Sequence, residues 1–586
     1  MTQIPRRANA IDLVFILAAL SVAGVGPSSS SAADVPAMVA ESLKSGPRFA
    51  APPLRLPRNL LSPRTEAAKT AAIVTESGPL RGKTTPITNQ YLGIPYAAPP
   101  VGQLRWTPPQ PFGKWHGVLQ ATRLGNVCVQ PNNVGGTLGS EDCLSLNIYI
   151  PRRKTDRKKQ NGLPVMVWIH GGSLVSGAGG FYDPTPLVRT GNVIVVTINY
   201  RLGVLGFFAH PALDAEGHLN ANYGLMDQQF ALGWVQRNIA NFGGNPNLVT
   251  IFGESGGGLS IYSNLASPTA AGLFHRAIAE SGAYASFYSG SLLQFIVPLT
   301  VGESTGTMLV PSGTALAASA GCSSQTAQCL RDVSASTLVQ AQAAGLYPFV
   351  DGTVLTQTPG AAIAGGEFNR VPVISGTNHD EYRLFVASQY DYAGQPLIDP
   401  NYQAAVAALF QRPVDDPGVV FLANDAYPLS NYSPAPPGFQ RAPLALGALG
   451  TDLIFACSAR NADISLSQSV PTFAYEFNDE NAPLILGLLP ASFPLGAYHA
   501  SEVQYLFNIL GTPATFSADQ QQLSNRMIRY WTQFASTGDP NSAGAPVWSA
   551  YTATTDEFQS LISPMPAVES NFDKTHQCST LWDTIR

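Results

Sequence analysis

The run from Leu248 to Leu265 constrains this chain most. A short apolar strand, Leu248 to Phe252, passes directly into Gly253-Glu254-Ser255-Gly256-Gly257 and then into the helix-compatible stretch Leu259 to Leu265. A Gly-x-Ser-x-Gly string alone often marks nothing more than a glycine-rich loop. Between a strand and a helix it acquires a mechanical meaning, because a very sharp turn lifts the serine Oγ clear of the backbone only where neighbouring side chains are missing. Gly253 and Gly257 supply that room, and Ser255 is the candidate nucleophile.

Attack on an ester carbonyl places negative charge on oxygen, so preorganised N–H donors must face the nucleophile. His170-Gly171-Gly172 directly follows the apolar run Val165 to Ile169. The amides of Gly171 and Gly172, with that of Gly256, form the candidate oxyanion hole. His170, alone at a strand end and upstream of the serine, is expected to be a packing residue. In the sheet fold that carries such an elbow, the acid and then the histidine follow the serine in chain order. The apolar run Val371 to Ser375 leads to Gly376-Thr377-Asn378-His379-Asp380-Glu381, a loop with two adjacent carboxylates. Beyond it lie only His499 and His576. The latter sits in the tail near Cys578, whereas His499 follows the strand-like Thr472 to Phe477, so His499 is the candidate base.

The runs Val165 to Ile169 and Val193 to Asn199 are continuously apolar or β-branched, as in strands buried on both faces of a parallel sheet. Asp227 to Phe242 reads instead as a helix, with Phe230, Trp234, Val235, Ile239 and Phe242 at helical spacing on one face. Fifty-four glycines and 47 prolines among 586 residues imply many turns and long loops. The expected class is α/β, with a large mainly parallel central sheet flanked by helices. A net charge of −5 with only 12% charged residues gives no basic stripe, which argues against nucleic acid as a partner.

Arg6 and Arg7 precede the apolar run Leu13 to Val25, and Ser31-Ala32-Ala33 offers small residues for cleavage, so residues 1–33 read as an export signal. That run is too short to span a bilayer, and no other segment has roughly 18 uninterrupted apolar residues. An Ala/Pro/Ser-rich leader over 34–70 and one α/β domain over 71–586 are expected to follow. Six cysteines in an exported chain suggest disulfides, with 15 arrangements open. Cys128 with Cys143 and Cys322 with Cys329 would close short loops, leaving Cys457 and Cys578. Neither a Cys-x-x-Cys pair nor a His-Cys cluster suggests zinc.

From about Ala71 to Cys578 the chain resembles the type-B carboxylesterases and cholinesterase-like lipases, which have the α/β-hydrolase fold with long loop insertions. The resemblance rests on the elbow and on Tyr91 to Ala97, Pro99 to Trp106, Ser140 to Leu144, Asn199 to Gly203, Asp227-Gln228-Gln229, Gly376 to Glu381 and Gly496 to His499. It implies Glu381 rather than Asp380 as the acid, the pairs Cys128–Cys143 and Cys322–Cys329, and for Cys457 and Cys578 a bridge found in part of the family. Two departures stand out: Gly256 replaces the family's usual alanine after the nucleophile, and Tyr382 replaces the usual glycine after the acid. If that glycine adopts a positive φ, tyrosine would displace Glu381.

The expected activity is hydrolysis of uncharged small-molecule or lipid esters through an acyl-enzyme, without metal or organic cofactor. Val129 to Asp142 contains no aromatic residue on which a quaternary ammonium could stack, so choline esters are not expected. Tyr284, Phe287 and Tyr288 are candidates for an acyl pocket, with ordinary packing the competing reading. An interfacial lipase would need an apolar lid, which nothing in Ser281 to Pro311 establishes. A silent binding scaffold would usually have lost the nucleophile. Oligomeric state is not legible in the sequence.

Overall fold

The computed structural model describes residues 68–132, 135–152, 162–219, 221–285, 313–342, 348–432 and 439–584. The expected export signal, nearly all of the leader, Phe287, Tyr288 and the stretch to Pro311 lie outside the described residues.

The apolar runs become the middle of one eleven-stranded sheet. Its strands are β1 (Lys83–Thr84), β2 (Thr88–Pro95), β3 (Ser145–Pro151), β4 (Leu163–Ile169), β5 (Ile194–Ile198), β6 (Gly244–Glu254), β7 (Arg276–Glu280), β8 (Val373–Asn378), β9 (Thr472–Phe477), β10 (Phe558–Leu561) and β11 (Ala567–Glu569). They lie in the order β1-β2-β3-β5-β4-β6-β7-β8-β9-β10-β11. From β5 to β10 every neighbour is parallel, while β1, β2, β3 and β11 pair antiparallel at the two edges. Every residue of β5, β8 and β9 is buried, which is why these strands read as continuous rather than alternating apolar runs. This is the expected α/β-hydrolase architecture.

Element boundaries shift modestly. Strand β6 is eleven residues long rather than the five read from Leu248 to Phe252, and β8 begins at Val373 and continues to Asn378. Helix α1 (Tyr223–Asn238) starts four residues before Asp227 and passes at Ile239–Phe242 into a tighter 3-10 turn. Trp234, Val235, Ile239 and Phe242 of its apolar face are buried, and Asp227, Gln228 and Gln229 are buried as well. Asp227 accepts two hydrogen bonds from the Arg201 guanidinium, at 2.8 and 2.7 Å, and a third from the Arg201 amide. Gln228 bonds Ser260 and Asn264, so the buried polar groups of this helix are paired.

Helix α2 (Gly256–Ala266) follows β6, α3 spans Ala442–Ser467, and α4 (Ala518–Thr537) opens on a capping box between Ser517 and Gln520. Among the described residues, α3 alone is long and apolar enough to cross a membrane, yet 89% of its most apolar window is buried inside the protein. It is packed as a core helix. Disulfides join Cys128 to Cys143, Cys322 to Cys329, and Cys457 to Cys578. The last ties α3 to the carboxyl-terminal tail.

Because Asp227 is wholly buried, removing its partner strands a charge. Arg201→Met is expected to destabilise the fold by about 3–5 kcal/mol, read as a lower urea midpoint with an unchanged m-value.

Candidate active site

The parallel strands end on one edge of the sheet, the usual place for a site in such folds. Ser255 stands one residue past β6, with φ 55° and ψ −122°, a conformation that non-glycine residues rarely adopt. It is held from both sides: the Ser255 amide donates to the Glu280 carbonyl at 2.9 Å, and the Ser255 carbonyl accepts from Leu259 at 2.8 Å. Glycine is required around it by close approach, since a Cβ at Gly253 or Gly257 would lie 2.5 or 2.0 Å from the Ile169 carbonyl oxygen.

The two segments meeting here are those that the sequence singled out. Gly171 approaches so closely that a Cβ there would lie 3.2 Å from the Ser255 Cβ, and Gly172 adopts φ +103°. At Gly256 a Cβ would lie 2.9 Å from the Leu174 nitrogen and 3.0 Å from the Ser173 nitrogen. The glycine that departs from the family pattern therefore has a steric reason in this chain. Gly256 is also the first residue of α2, where amides have no acceptor within the helix and the dipole favours negative charge. His170 is buried, stacks on Tyr200 at 4.5 Å, and burial lowers its pKa to about 4, so it is an uncharged packing residue.

His499 and Glu381 meet through Nδ1 and Oε2 at 2.5 Å. The other carboxylate oxygen of Glu381 accepts from Thr377 Oγ1 and the Asn378 amide, both at 2.8 Å. Phe385 and Phe455 pack against the imidazole, each with its ring centre 5.1 Å away. Asp380 points elsewhere. Its amide donates to the Ala497 carbonyl at 3.0 Å, its Oδ2 accepts from the Ala497 amide at 2.9 Å, and it pairs with Arg383. Burial alone would raise its pKa, but Arg383, His379 and that amide hold it at about 2. Asp380 thus stitches the acid loop to the histidine loop. His576 lies away from the serine, clasped between Asp452 at 2.5 Å and Glu476 at 2.6 Å.

Tyr382 does not strain the acid loop. Its φ of −76° is ordinary, its amide donates to Thr451 on α3, and its ring stacks on Phe385. The space comes from Gly450 on α3, where a Cβ would collide with the tyrosine ring at 2.2 Å.

Ser255, His499, Gly171 and Gly172 line a cavity of about 710 Å³, counted with its open mouth. Most of the remaining wall is apolar, from Phe181, Leu384, Ile485, Leu488, Val503 and Ile509, with Ser176, Tyr182 and Glu254 as its polar members. Sequence reasoning missed these residues, which come from unconnected loops with no shared periodicity. Tyr284 is a correction in the other direction: it does not line this cavity but is buried against Phe455 at 5.4 Å, the packing role it was weighed against.

Three further carboxyls are buried at the site, Glu254 in the cavity wall and Glu280 and Glu502 outside its lining. Glu254 Oε1 sits 3.2 Å from His499 Nε2, close enough for an ion pair but off the line of a hydrogen bond. Burial, then repulsion from Glu381 and Glu280, holds the Glu254 pKa well above 4.5. Glu502 is raised in the same way and accepts from Asn378 Nδ2. Burial lifts Glu280 to about 7 against the opposing hydrogen bond from Trp531. A usable sequence signal existed for two of these: Glu254 stands inside the elbow motif, and Glu502 follows His499 by one helical turn's spacing.

Comparison with known proteins decides the family. Residues 69–581 match the model of the carboxylesterase family. The chain belongs to that family. Carboxylesterase 1D of Rattus norvegicus is 35% identical over 521 residues, spanning 80% of this chain and 85% of that protein. Cocaine esterase of Homo sapiens is 34% identical over 484 residues, spanning 79% and 81%. A solved structure of a PNB esterase is 30% identical, with a TM-score of 0.66, covering 86% of this chain and 98% of that one. This carboxylesterase therefore has ester hydrolysis as its chemistry, with the departures at Gly256 and Tyr382 accommodated within its own packing.

Gly256→Ala would push the Ser173-Leu174 backbone away from the nucleophile, and kcat on a soluble ester is expected to fall by roughly tenfold or more. Glu280 titrates with the opposite consequence for stability. Its folded pKa of about 7 stands above the ordinary 4.5, so the native state keeps a proton that the unfolded chain has released, and stability declines as pH rises through that window. Glu280→Gln is expected to reduce the fall in Tm between about pH 5 and about pH 7.5; an unchanged fall would show that Glu280 does not titrate there.

Proposed function

We propose that this carboxylesterase is an exported enzyme that cleaves uncharged carboxylic esters through an acyl-enzyme, with Ser255 as nucleophile, His499 as general base and then acid, and Glu381 as orienting carboxylate. The observation that carries the reading is the buried His499–Glu381 contact opening on the cavity that holds the strained Ser255. His499 removes the hydroxyl proton as Oγ attacks the carbonyl, and Glu381 stabilises the imidazolium that forms. The amides of Gly171, Gly172 and Gly256 receive the oxyanion, each contributing on the order of 3 kcal/mol to barrier lowering. His499 then protonates the departing alcohol, and water activated by the same imidazole cleaves the acyl-enzyme. No step calls for a metal or organic cofactor.

Largely apolar walls, whose one carboxyl, Glu254, is pushed by burial toward its neutral form, favour an uncharged substrate, since an ion entering them would lose its hydration. Export is supported by the signal-like residues 1–33 and by three disulfides, which persist in oxidising compartments. A second reading, action on aggregated lipid esters, is favoured by Leu484, Leu486 and Leu489, which are exposed beside the cavity residues Ile485 and Leu488.

The test is a chain-length series of p-nitrophenyl esters, assayed below and above the solubility limit of each ester. Ser255→Ala is expected to lower kcat by on the order of 10³-fold or more throughout. Wild-type rates in that variant would overturn the nucleophile. A rate that rises abruptly only above the solubility limit would assign the lipase reading.

A further inference from the structure

The cavity wall from Ala482 to Ala497 contains no charged residue, so no ion pair can hold it. Ile485 and Leu488 face the cavity, while Leu484, Leu486 and Leu489 are 41, 43 and 55% exposed. Phe493, Leu495 and Ala497 anchor the later part of the strip in the core, whereas its first part packs mainly through Ile485 and Leu488. The register of that first part then depends in part on hydrogen bonds.

Those bonds converge on one buried side chain, the residue directly before His499. The Tyr498 hydroxyl accepts from the Ile485 amide at 2.8 Å and donates to the Pro483 carbonyl at 2.7 Å. Gln504 Nε2 donates to the same Pro483 carbonyl at 2.6 Å and to the Ser501 carbonyl at 3.2 Å. The far end of the strip is secured separately, by the Tyr392 hydroxyl on the Leu489 carbonyl and by Asp391 on the Ser492 amide. The Tyr498 carbonyl in turn accepts from Asn378 Nδ2, and the Asn378 amide donates to Glu381. One tyrosine therefore connects the wall, the histidine and the acid loop.

We infer that Tyr498 is a positioning residue for substrate selectivity: its hydroxyl holds the Ile485–Leu488 wall in register with the His499 imidazole. The inference rests on Ser255 and His499 being the reacting pair, and it goes beyond that reading by naming what sets the shape of the cavity. An ester long enough to reach the wall should feel the loss of the hydroxyl, whereas a short one should not. A displaced histidine would slow all esters alike and move the pH profile.

Tyr498→Phe deletes the hydroxyl and keeps the ring. For the p-nitrophenyl octanoate ester, KM is expected to rise about fivefold, what one hydrogen bond is worth, because the Ile485 amide loses its acceptor while the Pro483 carbonyl keeps Gln504; the acetate ester is expected to change less than about twofold, with the pH midpoint of kcat/KM unmoved. Gln504→Leu, which removes the second anchor on Pro483, is expected to change the octanoate-to-acetate ratio in the same sense and stands in if the tyrosine variant does not fold. Equal proportional changes for both esters, a shifted pH midpoint, or no change in either variant would overturn the inference. Turnover of the series by Ser255→Ala at wild-type rates would instead overturn the site on which it is built.

Discussion

Everything at this site depends on one crowded backbone crossing. The Ile169 carbonyl at the end of β4 presses so closely on the elbow that neither Gly253 nor Gly257 has room for a Cβ. That approach joins the strand feeding the oxyanion loop to the strand feeding the nucleophile, neighbours in parallel register from Val249–Val165 to Gly253–Ile169. Ser255 pays for the turn with an unfavourable φ, stabilised by its bonds to Glu280 and Leu259. Fixed backbone dipoles need no rearrangement when charge develops, so the same geometry that strains the serine preorganises the amides facing it.

Two adjacent carboxylates in the acid loop illustrate how environment divides roles. Asp380 is surrounded by Arg383, His379 and the Ala497 amide, so its charge is fully engaged in joining two loops. Glu381 keeps one oxygen for Thr377 and Asn378 and leaves the other to His499. Burial raises the pKa of Glu254, Glu280 and Glu502, and repulsion from neighbouring carboxylates adds to it at Glu254 and Glu502. Were all of them ionised, desolvation would outweigh any gain from a single imidazolium. Protonation at Glu254 and Glu502 limits that cost, while Glu381 is the carboxyl that hydrogen-bonds the imidazole.

The fold was legible because strands buried on both faces have an unambiguous apolar signature, and the elbow because a strand, a tight glycine turn and a helix must follow one another. Chain order narrowed the base to His499 against His576. The carboxylates Asp380 and Glu381 differ by one position, and only family resemblance preferred the latter, because which of two neighbours faces the imidazole depends on contacts with Arg383 and Ala497. The apolar face of α1 was legible from its spacing, but the burial of Asp227 and Gln228 was not, because their partners Arg201, Ser260 and Asn264 are distant in sequence. Cavity walls were invisible for the same reason. Phe181, Ile485 and Val503 share no period, and Tyr284, a candidate for either wall or packing, lies in the core against Phe455.

Helix α3 explains why a tyrosine can replace a glycine beside the acid. Its composition is that of a membrane span, but in this chain it is a buried strut whose Gly450, Thr451 and Phe455 receive, respectively, the Tyr382 ring, the Tyr382 amide and the imidazole of His499. Asp452 and Cys457 on the same helix tie it to the tail through His576 and Cys578. The departure at residue 382 is thus absorbed by a compensating absence of side chain at residue 450. A substitution judged by its own position alone would look disruptive; judged with the helix that packs on it, it becomes a stacked ring that helps hold the imidazole through Phe385.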